Sequence, residues 1–196
     1  MYHINEDQRS IHSKNMLYRA LADKLREKDL SSITIKEVVS DAQMGRSTFY
    51  RNFHSLESVL LWKCDAAFDE LYHYILRSFS PALVASKFPF ALPFFRYWQA
   101  DSEIIELLIQ VNRVDIIISS FDNALKKLIK TFNPGMMDQS PHFEYFLAFR
   151  SGAMIRILFQ WLNRSKDLSP EELCQLIEAQ AEGIVRNAPL TSNDAF

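Results

Sequence analysis

Glycine is scarce in this chain, with only four residues in 196. That scarcity argues against the Gly-rich phosphate loop and the dinucleotide fingerprint, which need several glycines close together so that backbone can approach a phosphate. A Gly-x-Ser-x-Gly nucleophile elbow is not found either. The two cysteines, Cys64 and Cys174, lie far apart, as inert core thiols do in a reducing compartment. No apolar run approaches the roughly 20 residues of a membrane-spanning helix. The opening Met1-Tyr2-His3-Ile4-Asn5-Glu6-Asp7-Gln8-Arg9 is polar, unlike a secretory signal. The expectation is a cytoplasmic chain with no membrane partner, no metal, no cofactor and no enzymatic activity.

What is present suits a helical globule. Hydrophobic residues make up 48% of the chain and charged residues 23%, enough to bury a core. The net charge of −2 is unevenly spread. Residues 1–63 hold ten Lys and Arg against eight Asp and Glu, so the N-terminal third is slightly basic and the remainder acidic. An excess that small makes any binding to nucleic acid depend on charge placement and on dimerisation.

Residues 33–62 carry the most chemistry. Thr34 and Glu37 have capping-box spacing, and Ile33 with Val38 has that of a hydrophobic staple. Ile35, Val38, Val39 and Ala42 form an i, i+3, i+4, i+7 stripe, predicting a helix of about two turns. Gln43 and Met44 make a turn, and Gly45 is a permissible N-cap. From Arg46 to Phe53 a second short helix places Phe49 and Phe53 on one face, with Arg46, Ser47, Thr48, Tyr50 and Arg51 opposite. Ser55 caps a third helix, and Glu57 favours its N-terminal dipole. A short helix with hydrogen-bonding side chains, held across another, is the helix-turn-helix arrangement that reads base edges in the major groove.

The stretch resembles the N-terminal domain of TetR-family transcriptional regulators. Ile33-Thr34-Ile35-Lys36-Glu37-Val38, Ala42, Met44, Ser47-Thr48-Phe49-Tyr50-Arg51-Asn52-Phe53, Glu57 and Leu60 carry the resemblance. It implies an all-α fold, with a three-helix DNA-binding domain at about 9–69 (motif about 33–53) and a helical effector-binding and dimerisation domain at 70–196. It further implies that Thr34 and Lys36 touch phosphate. Gly45 opens the reading helix, and Arg46, Ser47 and Thr48 face base edges. Tyr50 bonds a phosphate, and Arg51 and His54 lie near the backbone. This chain departs from the pattern at Gln43, where family members usually have Gly, and at Leu56, where many carry Lys. If Gln43 is left-handed, it costs roughly 1 to 2 kcal/mol.

The rest of the chain reads as helices. The first is expected from about Gln8 to Lys28, with Leu17, Leu21 and Leu25 over the motif and Arg9 and Lys14 near its start. The fourth is expected from Leu56 to about Phe79 and, by the resemblance, connects reader to sensor. Residues 80–99 look irregular because Pro81, Pro89 and Pro93 break or start helices. Residues 102–132 read as two helices meeting near 111–115, and Asn133-Pro134-Gly135 as a loop. Ser140-Pro141 and Ser169-Pro170-Glu171-Glu172 are helix starts. The helices at about 141–163 and 170–187 resemble the pair through which TetR-family subunits form homodimers. The former is apolar on nearly every side, which predicts burial all round. In the latter, Leu173, Leu176, Ile177, Ala181, Ile184 and Val185 make one stripe. Ser151-Gly152-Ala153, Trp161-Leu162-Asn163 and 168–173 are similar to the dihydroxyacetone-kinase-regulator-like subgroup.

Phe68, Phe94, Phe95, Trp98 and Phe121 are candidates for an apolar effector cavity, although aromatics at helical spacing more often fill core. Arg150 and Arg156 interrupt the apolar helix, so pairing with an acidic effector or, more often, with neighbouring carboxylates is expected. Asp65, Asp69 and His73 fall at i, i+4, i+8. A metal site would need a further element, so the stripe reads as a solvated acidic face. The resulting expectation is a ligand-responsive repressor binding double-stranded DNA at a palindromic operator as a homodimer. The rival, from another class, is a TetR-like interaction protein whose C-terminal domain binds a protein partner.

Overall fold

The computed structural model describes residues 8–78, 88–135 and 141–187, with side chains as far as residue 180. Nine α-helices are formed among them: α1 Gln8–Leu25, α2 Ile35–Asp41, α3 Arg46–Asn52, α4 Leu56–Ser78, α5 Ala91–Ala100, α6 Glu103–Gln110, α7 Val114–Phe132, α8 Phe143–Asn163 and α9 Pro170–Asn187. The class is all-α, as expected from the periodicity. Helix α1 ends at Leu25 in a turn, three residues before the expected Lys28. Of the expected features, Phe79, Pro81, Ser140 and the side chains of Ala181, Ile184 and Val185 lie outside the description.

By contacts the chain divides into two compact units, Met1–Tyr72 with Ser102–Gly152 and His73–Asp101 with Ala153–Phe196. In the first, Leu17, Leu21 and Leu25 of α1 are fully or almost fully buried, as their spacing requires, together with Val38, Phe49, Val59 and Leu60. Helices α6 and α7 add Ile105, Leu108 and Ile117 to the core of this unit. Phe68 and Phe121 meet with ring centroids 5.5 Å apart.

The second unit is built around aromatics. Phe95 stands edge-on to Trp161 at 5.6 Å, and Trp161 donates from Nε1 to the Leu168 carbonyl at 2.8 Å. Phe94 is edge-on to both Phe95 and Trp98. Residues 91–100, expected to be irregular, form α5 despite Pro93. Proline there lies in the first turn, where a backbone N–H has no intrahelical partner to lose. Helix α9 starts as its sequence predicts: Ser169 Oγ accepts from the Glu172 N–H at 3.2 Å, and Glu172 Oε2 accepts from the Ser169 N–H at 2.8 Å.

Two expectations about α8 need correction. It begins at Phe143, with Pro141 and His142 in a turn whose His142 carbonyl accepts from the Tyr145 and Phe146 amides. Nor is it buried all round. Phe143, Leu147, Ile155, Leu158 and Trp161 face the core, while Tyr145 and Phe149 are 79% and 77% exposed. Gly152, Ala153 and Arg156 continue the open face. An all-apolar pattern demands cover on every side, and among the described residues cover is found on one side only.

Candidate nucleic-acid interface

The site begins with the N-terminus of α2. Thr34 Oγ1 accepts from the Glu37 N–H at 3.3 Å, and Glu37 Oε2 accepts from the Thr34 N–H at 2.7 Å, completing the capping box. The Thr34 hydroxyl hydrogen is directed at the same Oε2 at 2.8 Å. Lys28 Nζ lies 2.6 Å from the other oxygen, Oε1. This ammonium and the Thr34 donors hold the Glu37 carboxyl down at about 2.

The turn into α3 passes through Gln43 at φ 54°, so the left-handed residue is a non-glycine here. Gly45 caps α3 at φ −80° and ψ 151°, an extended conformation open to any residue. A Cβ there would meet Ser47 Oγ at 3.6 Å, an ordinary contact. Helix α3 is then anchored by Phe49, fully buried, and Phe53, 3% exposed. Phe53 packs edge-on against Trp62 of α4 with centroids 6.0 Å apart.

On the opposite side Lys36, Arg46, Ser47, Tyr50, Arg51 and His54 are exposed and Thr48 is half-buried. Tyr50 is 57% exposed, far more than a phenol that packs in a core. Lys24 pairs with Asp41 at 2.6 Å and Arg26 with Asp23 at 2.8 Å. With Lys28 on Glu37, the two carboxylates of α2 at Glu37 and Asp41 are compensated by cations from α1 and its end. Lys36, Arg46 and Arg51 have no ion-pair partner among the described residues. A polyanion would meet these charges already exposed.

Two residues outside the expected set complete the arrangement. Asn52 donates from Nδ2 to the Thr48 carbonyl at 2.7 Å, and its Oδ1 accepts from Ser10 Oγ at 3.0 Å, which ties α3 to α1. Asn52 lies four residues from Thr48, so its backbone bond is a local one. Ser10 is 42 residues away, and no local pattern announces it. Arg9, Ser10, Ser13 and Arg51 line an open groove of about 430 Å³ beside this bond. Leu56 is 7% exposed and belongs to the core.

The effector candidates form separate groups. Phe68 pairs with Phe121 in the first unit, while Phe94, Phe95 and Trp98 cluster in the second, all nearly inaccessible. Arg150 is half-buried with its guanidinium carbon 4.7 Å from the Phe146 ring centroid, and Arg156 is exposed. The expectation that both charges are buried and paired is corrected, because they lie at the edge of the open face of α8. Asp65, Asp69 and His73 are exposed, as expected of a solvated face, and the two carboxylates also meet α7: Ser120 Oγ donates to Asp65 at 2.6 Å, and Lys127 to Asp69 at 2.5 Å.

This geometry can be set beside known proteins. Residues 87–183 match the family TetR_C_8, described as transcriptional regulator C-terminal region. A TetR transcriptional regulator from Streptococcus agalactiae is similar in structure with a TM-score of 0.58 at 19% identity, over 89% of this chain and 96% of that one. The chain has the TetR fold. Lin0861 from Listeria innocua superposes with a TM-score of 0.72 at 15% identity, covering 93% of this chain and 96% of that one. No curated protein matches the chain by sequence. The matched segment, residues 87–183, is similar to the C-terminal region of transcriptional regulators, and the two solved structures share the fold. Among the described residues of this TetR-type chain, no helix is long and apolar enough to cross a membrane.

Proposed function

We propose that this protein is a cytoplasmic, homodimeric, sequence-specific DNA-binding regulator, a ligand-responsive repressor acting on a palindromic operator. One observation carries the reading. Arg46, Ser47, Tyr50 and Arg51 stand exposed on a short helix whose other side is locked down by Phe49 and Phe53. A rigid helix offering donors and cations is what entry into a major groove requires. Arg46, Ser47 and Thr48 read base edges, while Thr34, Lys36, Tyr50, Arg51 and His54 meet the backbone around Gly45. Residues 9–69 are the reader, and 70–196 bind effector and partner subunit.

The open face of α8, with Tyr145 and Phe149, supports dimerisation through this helix and α9, since large aromatics this exposed are covered by a partner. Phe68, Phe94, Phe95, Trp98, Phe121 and Arg150 remain the effector candidates, and the words at 151–153, 161–163 and 168–173 favour the dihydroxyacetone-kinase-regulator-like subgroup. Selection of bound duplexes from a random DNA pool at fixed salt tests the reading. Enrichment of an inverted repeat with half-sites roughly one helical turn apart is expected. A folded dimer that enriches nothing would shift the assignment to a TetR-like interaction protein, a reading favoured by left-handed Gln43 and core-facing Leu56.

A further inference from the structure

Two helices beyond the reader in sequence reach back to it within the first compact unit. Gln110, the last residue of α6, donates from Nε2 to the carbonyl of Leu25 at 3.2 Å, across 85 residues. Leu25 closes α1, and its carbonyl is one of the acceptors that a helix C-terminus leaves without an intrahelical partner. Along α4, Asp65, Asp69 and Tyr72 fall at i, i+4, i+7, and each meets α7. Ser120 Oγ donates to Asp65 Oδ1 at 2.6 Å, Lys127 Nζ to Asp69 Oδ1 at 2.5 Å, and Tyr72 OH shares a hydrogen bond with Thr131 Oγ1 at 3.0 Å. Lys127 Nζ also lies 4.1 Å from the Tyr72 ring centroid. Ser120 is 2% exposed, so its hydroxyl faces Asp65 and the Cys64 thiol rather than water.

We infer that Gln110, Ser120 and Lys127 are positioning residues for DNA reading, although none of them lies in the helix-turn-helix. Helix α6 holds the end of α1, and α7 holds α4 along two turns. Both α1 and α4 are attached to α3, the first through the Ser10–Asn52 bond and the second through Trp62 against Phe53. The brace therefore sets the direction in which α3 is presented. A single half-site is indifferent to that direction, because the protein can dock as one body. A palindrome is not, since two recognition helices must enter successive major grooves together. The inference rests on the proposed DNA-reading function.

The test compares Gln110→Ala, Lys127→Met and the double variant, as full-length dimers, on the selected palindrome and on a duplex carrying one half-site. The melting temperature of each variant is measured alongside. For the double variant, affinity for the palindrome is expected to fall roughly 5- to 10-fold, the scale of one unsatisfied carbonyl plus one exposed ion pair. Half-site affinity should change by less than about twofold, because the base and phosphate contacts are intact. Lys127→Arg, which keeps a cation opposite Asp69, should restore the palindrome. If Gln110→Ala does not fold, Lys127→Met still decides the matter, because the Lys127–Asp69 pair is about half exposed. Equal loss on both duplexes in step with the melting temperature, or no loss on either, would overturn the brace. A parent chain with no sequence preference overturns the DNA reading itself, and the brace with it.

Discussion

Lys28 Nζ sits 2.6 Å from Glu37 Oε1, while Glu37 Oε2 accepts from the backbone N–H and the hydroxyl of Thr34. A carboxylate at the entrance to α2 would repel a phosphate arriving at Thr34, and the Lys28 ammonium cancels that charge where it stands. The same contacts hold the Glu37 pKa at about 2, against an ordinary 4.5. A depressed carboxyl pKa stabilises the fold in full above the unfolded value, and the contribution is lost as pH falls from about 4.5 to about 2. Glu37→Gln should therefore flatten the acid limb of the melting temperature between pH 6 and pH 2.5. An acid limb unchanged by the substitution would show that other carboxylates govern it.

Arg46 and Lys36 are both exposed, yet they should fail differently when removed. Arg46 stands at the first position of α3, so Arg46→Ala should relax base preference and cost about 1 to 3 kcal/mol against the correct site. Lys36 lies on α2, beside the expected phosphate, and Lys36→Ala should weaken every duplex alike and lower the salt slope by about one. Binding isotherms at several salt concentrations on selected and scrambled duplexes separate the two outcomes. If both variants bind every duplex as the parent does, the reading face has been placed on the wrong helix.

Gln43 holds φ at 54° in the turn between α2 and α3. A left-handed conformation costs a side-chain-bearing residue roughly 1 to 2 kcal/mol. Glycine removes that strain but gives back roughly 0.4 to 1 kcal/mol through a more flexible unfolded chain. Gln43→Gly should thus stabilise the protein by roughly 0 to 1.6 kcal/mol, the difference of those two terms. Urea unfolding with an unchanged slope is the measurement. Destabilisation would mean that the Gln43 side chain makes a contribution larger than its strain.

The features legible in the sequence were those settled by neighbours along the chain. The capping boxes at Thr34 and Ser169 need only residues three apart, and the buried row Leu17, Leu21 and Leu25 needs only one helix period. The resemblance of 33–53 likewise rests on a contiguous word. Long-range pairing was not legible. Asp65 and Asp69 are exposed, as a solvated stripe requires, but nothing near them says that Ser120 and Lys127 of α7 will meet them. Whether Pro93 breaks or starts a helix depends on where the helix begins, and α5 begins two residues earlier. In the reader, Phe49 and Phe53 were evident from spacing, whereas the Ser10–Asn52 bond depends on how α1 crosses α3.

Helix α8 makes the last case. Its apolar residues outnumber what the chain covers, leaving Tyr145 and Phe149 at 79% and 77% exposure on successive turns of one face. Removing them from that face takes little packing away from the monomer, so the double variant Tyr145→Asp/Phe149→Asp should fold as well as the parent. Two carboxylates inside a subunit interface, by contrast, would be desolvated without partners, at a cost of several kcal/mol for each. Sedimentation should therefore show a monomer at concentrations where the parent is a dimer, with helical circular dichroism retained. Palindrome affinity should drop toward that of a single half-site, since the second reader is no longer tethered to the first. A variant that remains dimeric would move the interface away from this face and leave the exposed aromatics to a different partner.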